Sequence, residues 1–283
     1  MVLTFLEETT PGICRYSLDL AALYPNGAAR GRFEARYLEF LASAPEHPDL
    51  FGRDGQRLIY LSESFLSRVV DDRPPVLLVL GNPGSRSVCA GMCFAFEQPG
   101  CREHRFWKAL REVGWLRFKD DAAGDVRRYN AERRKALLEG DYASPFRIGI
   151  DVFHTVPSGA SHIKWGGVTG LHALFGREAM ARIADAERLR LARTIADFGG
   201  GEGAVVAFQK DAYEGLRDAL ASSYSQEAAR SGKLSGTTAA GEPVRLFGAL
   251  PTRLAHTGTF REALTRIGET ILGDQCSQDA SLA

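Results

Sequence analysis

The 283-residue chain is short of cysteine, methionine and tryptophan, has no surplus of either charge, and contains no long apolar run. Its five cysteines (Cys14, Cys89, Cys93, Cys101, Cys276) are few and odd in number, which points to reduced thiols rather than a disulfide framework. No stretch reaches the roughly 18 apolar residues of a membrane helix, and no basic segment leads into an apolar one at the N-terminus. A cytoplasmic protein with no membrane partner is therefore expected. The spacing Cys89-x3-Cys93-x7-Cys101 fits neither a zinc nor an iron-sulfur site. With no Walker loop and no Gly-x-Gly-x-x-Gly turn after a strand either, no metal and no cofactor are expected.

Lys plus Arg and Asp plus Glu number 35 each, which excludes a wholesale basic coat of the kind that wraps phosphate backbones. The balance is uneven along the chain. Residues 1–72 hold 7 basic against 11 acidic side chains, whereas residues 102–135 hold 11 against 6. That second stretch is either a basic binding surface or a solvated helical face.

An apolar share of 45% supports one large core. The continuous run Val76-Leu77-Leu78-Val79-Leu80, opened by Pro74-Pro75, reads as a central strand covered on both faces, and 146–156 and 204–208 have the same character. A last strand is expected near 244–250. Helical patterns fall at 106–113, 171–195 and 212–220, so strand and helix alternate as in an α/β fold with a mostly parallel sheet. Phe33, Tyr37, Leu38 and Leu41 recur at helical spacing, so residues 1–72 are expected to be a helical elaboration packed on a core of residues 73–270. That core carries a charged insertion near 117–145, and residues 271–283 form a tail. In such a fold the ligand site lies at the carboxyl ends of the strands, in the loops at 81–94, 151–164, 209–211 and 250–260.

The first of these loops reads Gly81-Asn82-Pro83-Gly84-Ser85-Arg86-Ser87, followed by Gly91-Met92-Cys93-Phe94-Ala95-Phe96 and later by His104-Arg105-Phe106-Trp107. This order resembles the first active-site motif of the uracil-DNA glycosylase superfamily, above all its mismatch-specific branch. There a strand runs into Gly-x-Asn-Pro-Gly, a Gly-x-x-Phe-Ala segment follows, and Asn-Arg-Phe-Trp opens a helix. Here Leu80 stands at the position of the first Gly and His104 at that of the Asn. The likeness is firm over residues 76–114 and looser over 146–264. It implies a three-layer α/β/α sandwich around a mostly parallel four-stranded sheet, and DNA as the partner of a monomeric enzyme.

The resemblance also assigns roles. Asn82 would hold the attacking water through its carbonyl oxygen, and Phe94 would be the face on which an extruded base stacks. Gly81 and Gly91 would let the backbone approach that base. Ser85, Arg86 and Ser87 would contact DNA phosphates, as would Ser158 and Lys164 from the loop Pro157-Ser158-Gly159-Ala160-Ser161-His162 and its flank. His256, in Leu250-Pro251-Thr252-Arg253-Leu254-Ala255-His256-Thr257-Gly258, would stabilise the departing base, with Arg253 wedging into the duplex or holding a phosphate. No Pro separates His256 from Thr257, unlike the superfamily's second catalytic loop. Asp151 aligns with the base-reading Asn of uracil-specific members. An ionised Asp offers acceptors only, which suits the amino group of cytosine, although the same carboxylate would serve equally to cap a helix or pair with an arginine. The expectation is a monofunctional DNA glycosylase acting on a modified cytosine, such as that of hypermodified phage DNA in anti-phage defence. The alternatives are a uracil or thymine-mismatch repair glycosylase and a catalytically silent nucleic-acid-binding module.

Overall fold

The computed structural model describes residues 1–96, 103–119, 125–159 and 164–282, with side chains up to residue 273. Strands β1 (Leu3–Thr10) and β2 (Ile13–Asp19) lead into helices α1 (Leu20–Leu23), α2 (Gly27–Ala42) and α3 (His47–Leu50), then strands β3 (Phe51–Asp54) and β4 (Arg57–Glu63). These four strands form an antiparallel sheet in the order β1-β2-β4-β3. The N-terminal region, expected as a helical elaboration, carries this four-stranded sheet as well as its helices. Helix α2 sits where the apolar spacing placed it, burying Phe33, Tyr37 and Phe40. Strand β1 gave no alternating signal because most of its residues face solvent.

The second half of the fold begins at β5 (Pro75–Leu80), followed by α4 (Ser85–Ala90), α5 (Arg105–Glu112), β6 (Arg117–Phe118), α6 (Val126–Glu139), β7 (Tyr142–Ala143) and β8 (Arg147–Val152). Then come α7 (Gly167–Phe175), α8 (Arg177–Phe198), β9 (Ala204–Phe208), α9 (Lys210–Leu216), α10 (Gln226–Ser231), β10 (Leu234–Ala239), β11 (Glu242–Ala249) and α11 (Gly258–Leu282). The single helix expected over 171–195 is two, divided at Gly176, whose φ of 84° is open to glycine and strained for other residues.

Five strands, rather than the expected four, form the main sheet in the order β10-β11-β9-β5-β8. β11, β9, β5 and β8 run parallel, and β10 adds an antiparallel edge. The β5 run is apolar at every position because both of its faces are covered. Val76, Leu78 and Leu80 join a cluster with Phe106, Leu110 and Phe260, while Leu77 and Val79 pack with Leu191, Ile195 and Phe198 of α8. Each such buried side chain contributes roughly 1.5–3 kcal/mol. The packing is close at Gly149, where the Phe198 ring lies 2.8 Å from the position a Cβ would take, so a larger residue there would push α8 off the sheet.

The segment after β4 closes the β8 edge. Phe65 and Ile150 exchange backbone hydrogen bonds of 2.8 Å each, which protects an edge otherwise open to strand addition. Tyr60 Oη and Thr155 Oγ1 meet at 2.8 Å, and Tyr24 Oη donates to Phe175 O at 2.7 Å, fastening the same region to the core. No helix among the described residues is long and apolar enough to cross a membrane.

Candidate active site

Four parallel strands end on one edge of the sheet, so their following loops converge there. Register pairs Leu80 with Val152 and Phe208 with Ala249. Beyond β5 and β8 the two chains stay joined: Phe153 N donates to Leu80 O at 2.7 Å, His154 N to Gly81 O at 2.8 Å, and Ser158 N to Pro83 O at 3.1 Å. Pro83 has no N–H to offer, and it forces the turn that projects Asn82 from the strand end.

Asn82 is half-buried, and its amide nitrogen is consumed. Nδ2 donates to Ser158 Oγ at 2.8 Å, to Pro83 O at 3.2 Å and to Val156 O at 3.3 Å. Three acceptors around one NH2 leave no doubt which end of the amide is nitrogen, and Oδ1 has no donor among the described residues. The side chain therefore presents an acceptor in a fixed direction, as an atom that holds a water must.

Phe94 is also half-buried and takes the left-handed conformation with φ 47°, unusual for a bulky residue. Its ring stacks on His104 at 4.4 Å and packs against Phe106 at 4.7 Å, and Trp107 Nε1 donates to its carbonyl at 3.2 Å. The segment is held from outside by α6. Asn130 accepts from Phe96 N at 2.9 Å and donates to Phe96 O at 3.1 Å, copying a strand partner. Arg134 donates to Gly91 O at 3.3 Å, beside the left-handed Gly91. Arg133 lies among the rings of Phe96, Trp107, Phe118 and Tyr129 and pairs with Glu103 at 2.7 Å. The charged insertion thus has a structural face that clamps the Phe94 segment. Its residues 120–124 lie outside the described ones, as do Cys101 and the phosphate-loop residues 160–163.

His256 is exposed just before α11. Arg105 Nη1, which can only donate, and the Arg253 carbonyl, which can only accept, both lie 3.2 Å from His256 Nδ1, so these neighbours do not fix the ring's tautomer. Phe106 packs edge-on against Phe208, and Phe208 stacks with Phe260 of α11, so the Phe94 and His256 segments meet at the end of β9. Arg253 is exposed and its carbonyl lies 3.2 Å from the same Nδ1.

Several expected contacts are corrected. Asp151 does not face the site: it is 1% exposed, its Oδ2 accepts from Arg190 Nη1 at 2.8 Å and its Oδ1 from Val152 N at 2.7 Å. Arg190 also pairs with buried Glu187 at 2.7 Å. Strand alternation turns Asp151 to the same face as Gly149, against α8, so the arginine-pairing alternative is the one realised. Ser85 is buried and bound to His47 of α3, Nε2 to Oγ at 2.9 Å. His47 Nδ1 must donate to Phe40 O at 2.7 Å, so Nε2 accepts the Ser85 proton and none remains for a phosphate. Burial holds the His47 pKa below its usual value, which keeps the ring neutral. Ser158 is buried and its hydroxyl serves Asn82. Lys164, exposed over the Trp165 ring, pairs with Glu39 at 2.8 Å, and Arg86 pairs with Glu46 at 3.0 Å. Ser87 is half-buried beside Gly84.

Gln209 lies in the 209–211 loop that the sequence placed at the site, but sequence reasoning gave it no role. It follows β9, the middle strand, with φ 95° and ψ 159°, a region that is essentially glycine's and costs another residue on the order of 1–3 kcal/mol. Its side-chain amide lies directly on Gly81, where any Cβ would overlap it, and its backbone N donates to Ala249 O at 3.3 Å. Backbone strain leaves no mark in a sequence; the only available hint was a polar residue directly after an apolar strand. His47 was missed for a similar reason, since 38 residues separate it from its partner.

Two surface grooves lie elsewhere, one between α5 and α11 with Val113, Arg261 and Glu269, the other between β6 and α6. Among the described residues no cluster of His, Cys, Asp or Glu is arranged to hold a metal. No protein-family model matches the chain, and no curated protein matches it. The reading of the site therefore rests on its residues and their geometry.

Proposed function

We propose that the chain is a monofunctional DNA glycosylase of the uracil-DNA glycosylase superfamily. It would be a cytoplasmic, cofactor-free monomer, built as a three-layer α/β/α sandwich, that extrudes a base and hydrolyses its N-glycosidic bond. The observation that carries the reading is the locked amide of Asn82, whose nitrogen is spent on Ser158, Val156 and Pro83 while its oxygen is left to orient a water at the edge of the sheet. In the reaction the water oxygen bonds to C1′, the bond from C1′ to the base nitrogen breaks, and its electron pair leaves with the base. The water's proton passes to solvent. Asn82 cannot ionise, so it positions the water rather than deprotonating it. His256, in the form that carries a proton on Nε2, would donate to the departing anion, the larger electrostatic contribution.

The base stacks against the half-exposed ring of Phe94. Arg253 and Ser87 supply phosphate contacts along the rim, while Arg86 and Lys164 are held by Glu46 and Glu39. No lysine occupies a motif position suited to a Schiff base, so strand cleavage does not accompany base release. With Asp151 committed to Arg190, the argument for a cytosine-like target loses its acceptor. Modified cytosine of phage DNA, uracil and mispaired thymine then stand as substrates to be separated by assay.

The test is single-turnover release from duplexes carrying each of these bases. Asn82→Ala is expected to lower release by roughly a hundredfold or more while leaving duplex affinity nearly intact. Unchanged release removes Asn82 from the mechanism. Binding without release by the unmodified chain favours a silent nucleic-acid-binding module instead.

A further inference from the structure

Gln209 stands where three strand ends meet. Its backbone bonds to Ala249 at the end of β11, its side chain covers Gly81 at the end of β5, and it is itself the residue after β9. The chain holds it at φ 95° with no glycine to ease the conformation. A residue of this size in a glycine conformation persists only where the surrounding structure over-determines it, and such positions cluster where a side chain must be aimed. The strain here aims a primary amide across the backbone that carries Asn82. Gln209 is half-buried, and its amide has no hydrogen-bond partner among the described residues.

We propose that Gln209 is the specificity-determining residue that reads the captured base, a proposal that rests on the glycosylase reading above. A primary amide sets an N–H donor beside a carbonyl acceptor, so it matches a base edge carrying one acceptor beside one donor, as in N3–H and O4 of uracil or N3 and the amino group of cytosine. Gly81 is then a spacer as well as part of the strand end. Without a side chain it lets the Gln209 amide lie against the backbone next to Asn82, so the group that reads the base and the group that holds the water share one piece of backbone. Val168 of α7 lies against the same Gly81 position and closes that side with an apolar wall.

The experiment compares the full chain with its Gln209→Gly and Gln209→Glu variants in single-turnover release from duplexes carrying uracil, cytosine, hydroxymethylcytosine and mispaired thymine, alongside thermal unfolding. Gln209→Gly is expected to unfold no lower than the parent, because glycine takes φ 95° without strain, and yet to release base at least tenfold more slowly. Gln209→Glu, which offers acceptors only, is expected to shift the ratio of cytosine-type to uracil release toward cytosine by roughly tenfold or more. Unchanged base ratios in Gln209→Glu overturn the inference, whether or not its overall rate falls, and leave the glycosylase reading standing if the parent releases a base. No release by the parent from any duplex overturns both.

Discussion

Replacing Asp151 by Asn separates a structural carboxylate from a base-reading one. Asp151 has a side chain 1% exposed and Arg190 one 13% exposed, so their ion pair is shielded from solvent and from salt. Asn keeps the shape but has a single carbonyl oxygen, whereas Asp151 accepts from Arg190 Nη1 at 2.8 Å and from Val152 N at 2.7 Å with two. One of those bonds is lost, and half of the negative charge facing Arg190 goes with it, leaving Glu187 as the remaining partner. Removing one member of a buried pair costs about 3–5 kcal/mol when a full charge is stranded; with Glu187 still in place, about 3 kcal/mol is expected. In a chain of this size that lowers the melting temperature by roughly 6–12 °C. Base ratios in single-turnover release should not change, because the side chain points at α8 and away from the strand ends. A double-mutant cycle with Arg190→Met sharpens the test, since two groups in contact should show a coupling of roughly 1 kcal/mol or more. An Asp151→Asn protein that melts with the parent but releases a different base would show that the carboxylate reaches the substrate, and the structural argument would fall.

Ser158 and Glu63, both buried, carry the other two predictions. Ser158→Ala removes the shortest acceptor of Asn82 Nδ2, leaving only the 3.2 and 3.3 Å bonds; at about 1 kcal/mol for a neutral hydrogen bond, release should slow roughly fivefold with duplex affinity unchanged, and an unaltered rate would show that Ser158 does not position Asn82. Glu63 is buried with Oε2 unpartnered among the described residues, and burial first and Asp151 second raise its pKa from 4.5 to about 8. Below pH 4.5 both folded and unfolded chains bind this proton, and between there and about pH 8 only the folded chain does. This contribution to stability is therefore complete in acid and is lost as pH rises through that window, by up to roughly 1.4 kcal/mol per pH unit. Glu63→Gln should flatten the dependence, and denaturation midpoints at pH 5, 6.5 and 8 that fall in parallel for both proteins would refute it.

What could be read in the sequence was chemistry that is local along the chain. The β5 and β9 runs were legible because strands covered on both faces must be apolar at every position, and the place of Asn82 followed from being the second residue past such a run. What could not be read depends on partners brought together only by folding. Asp151 and Arg190 are 39 residues apart, and an acidic residue at a strand end is written identically whether it meets a base or a helix. Asn130 and Arg133 look like any charged helix until α6 is seen to clamp Phe96. Strand β1 was lost because solvent on most of its positions erases the period of two. The same division runs through the site itself. Its two groups, the Asn82 amide and the His256 ring, belong to short motifs, but they are held by Ser158, by Arg105 and by the bridge of rings from Phe106 through Phe208 to Phe260. An amide or an imidazole is chemically ambiguous until its other hydrogen bonds are known. The residues that resolve the ambiguity lie far away in sequence, so they carry the information about mechanism that the motif alone lacks.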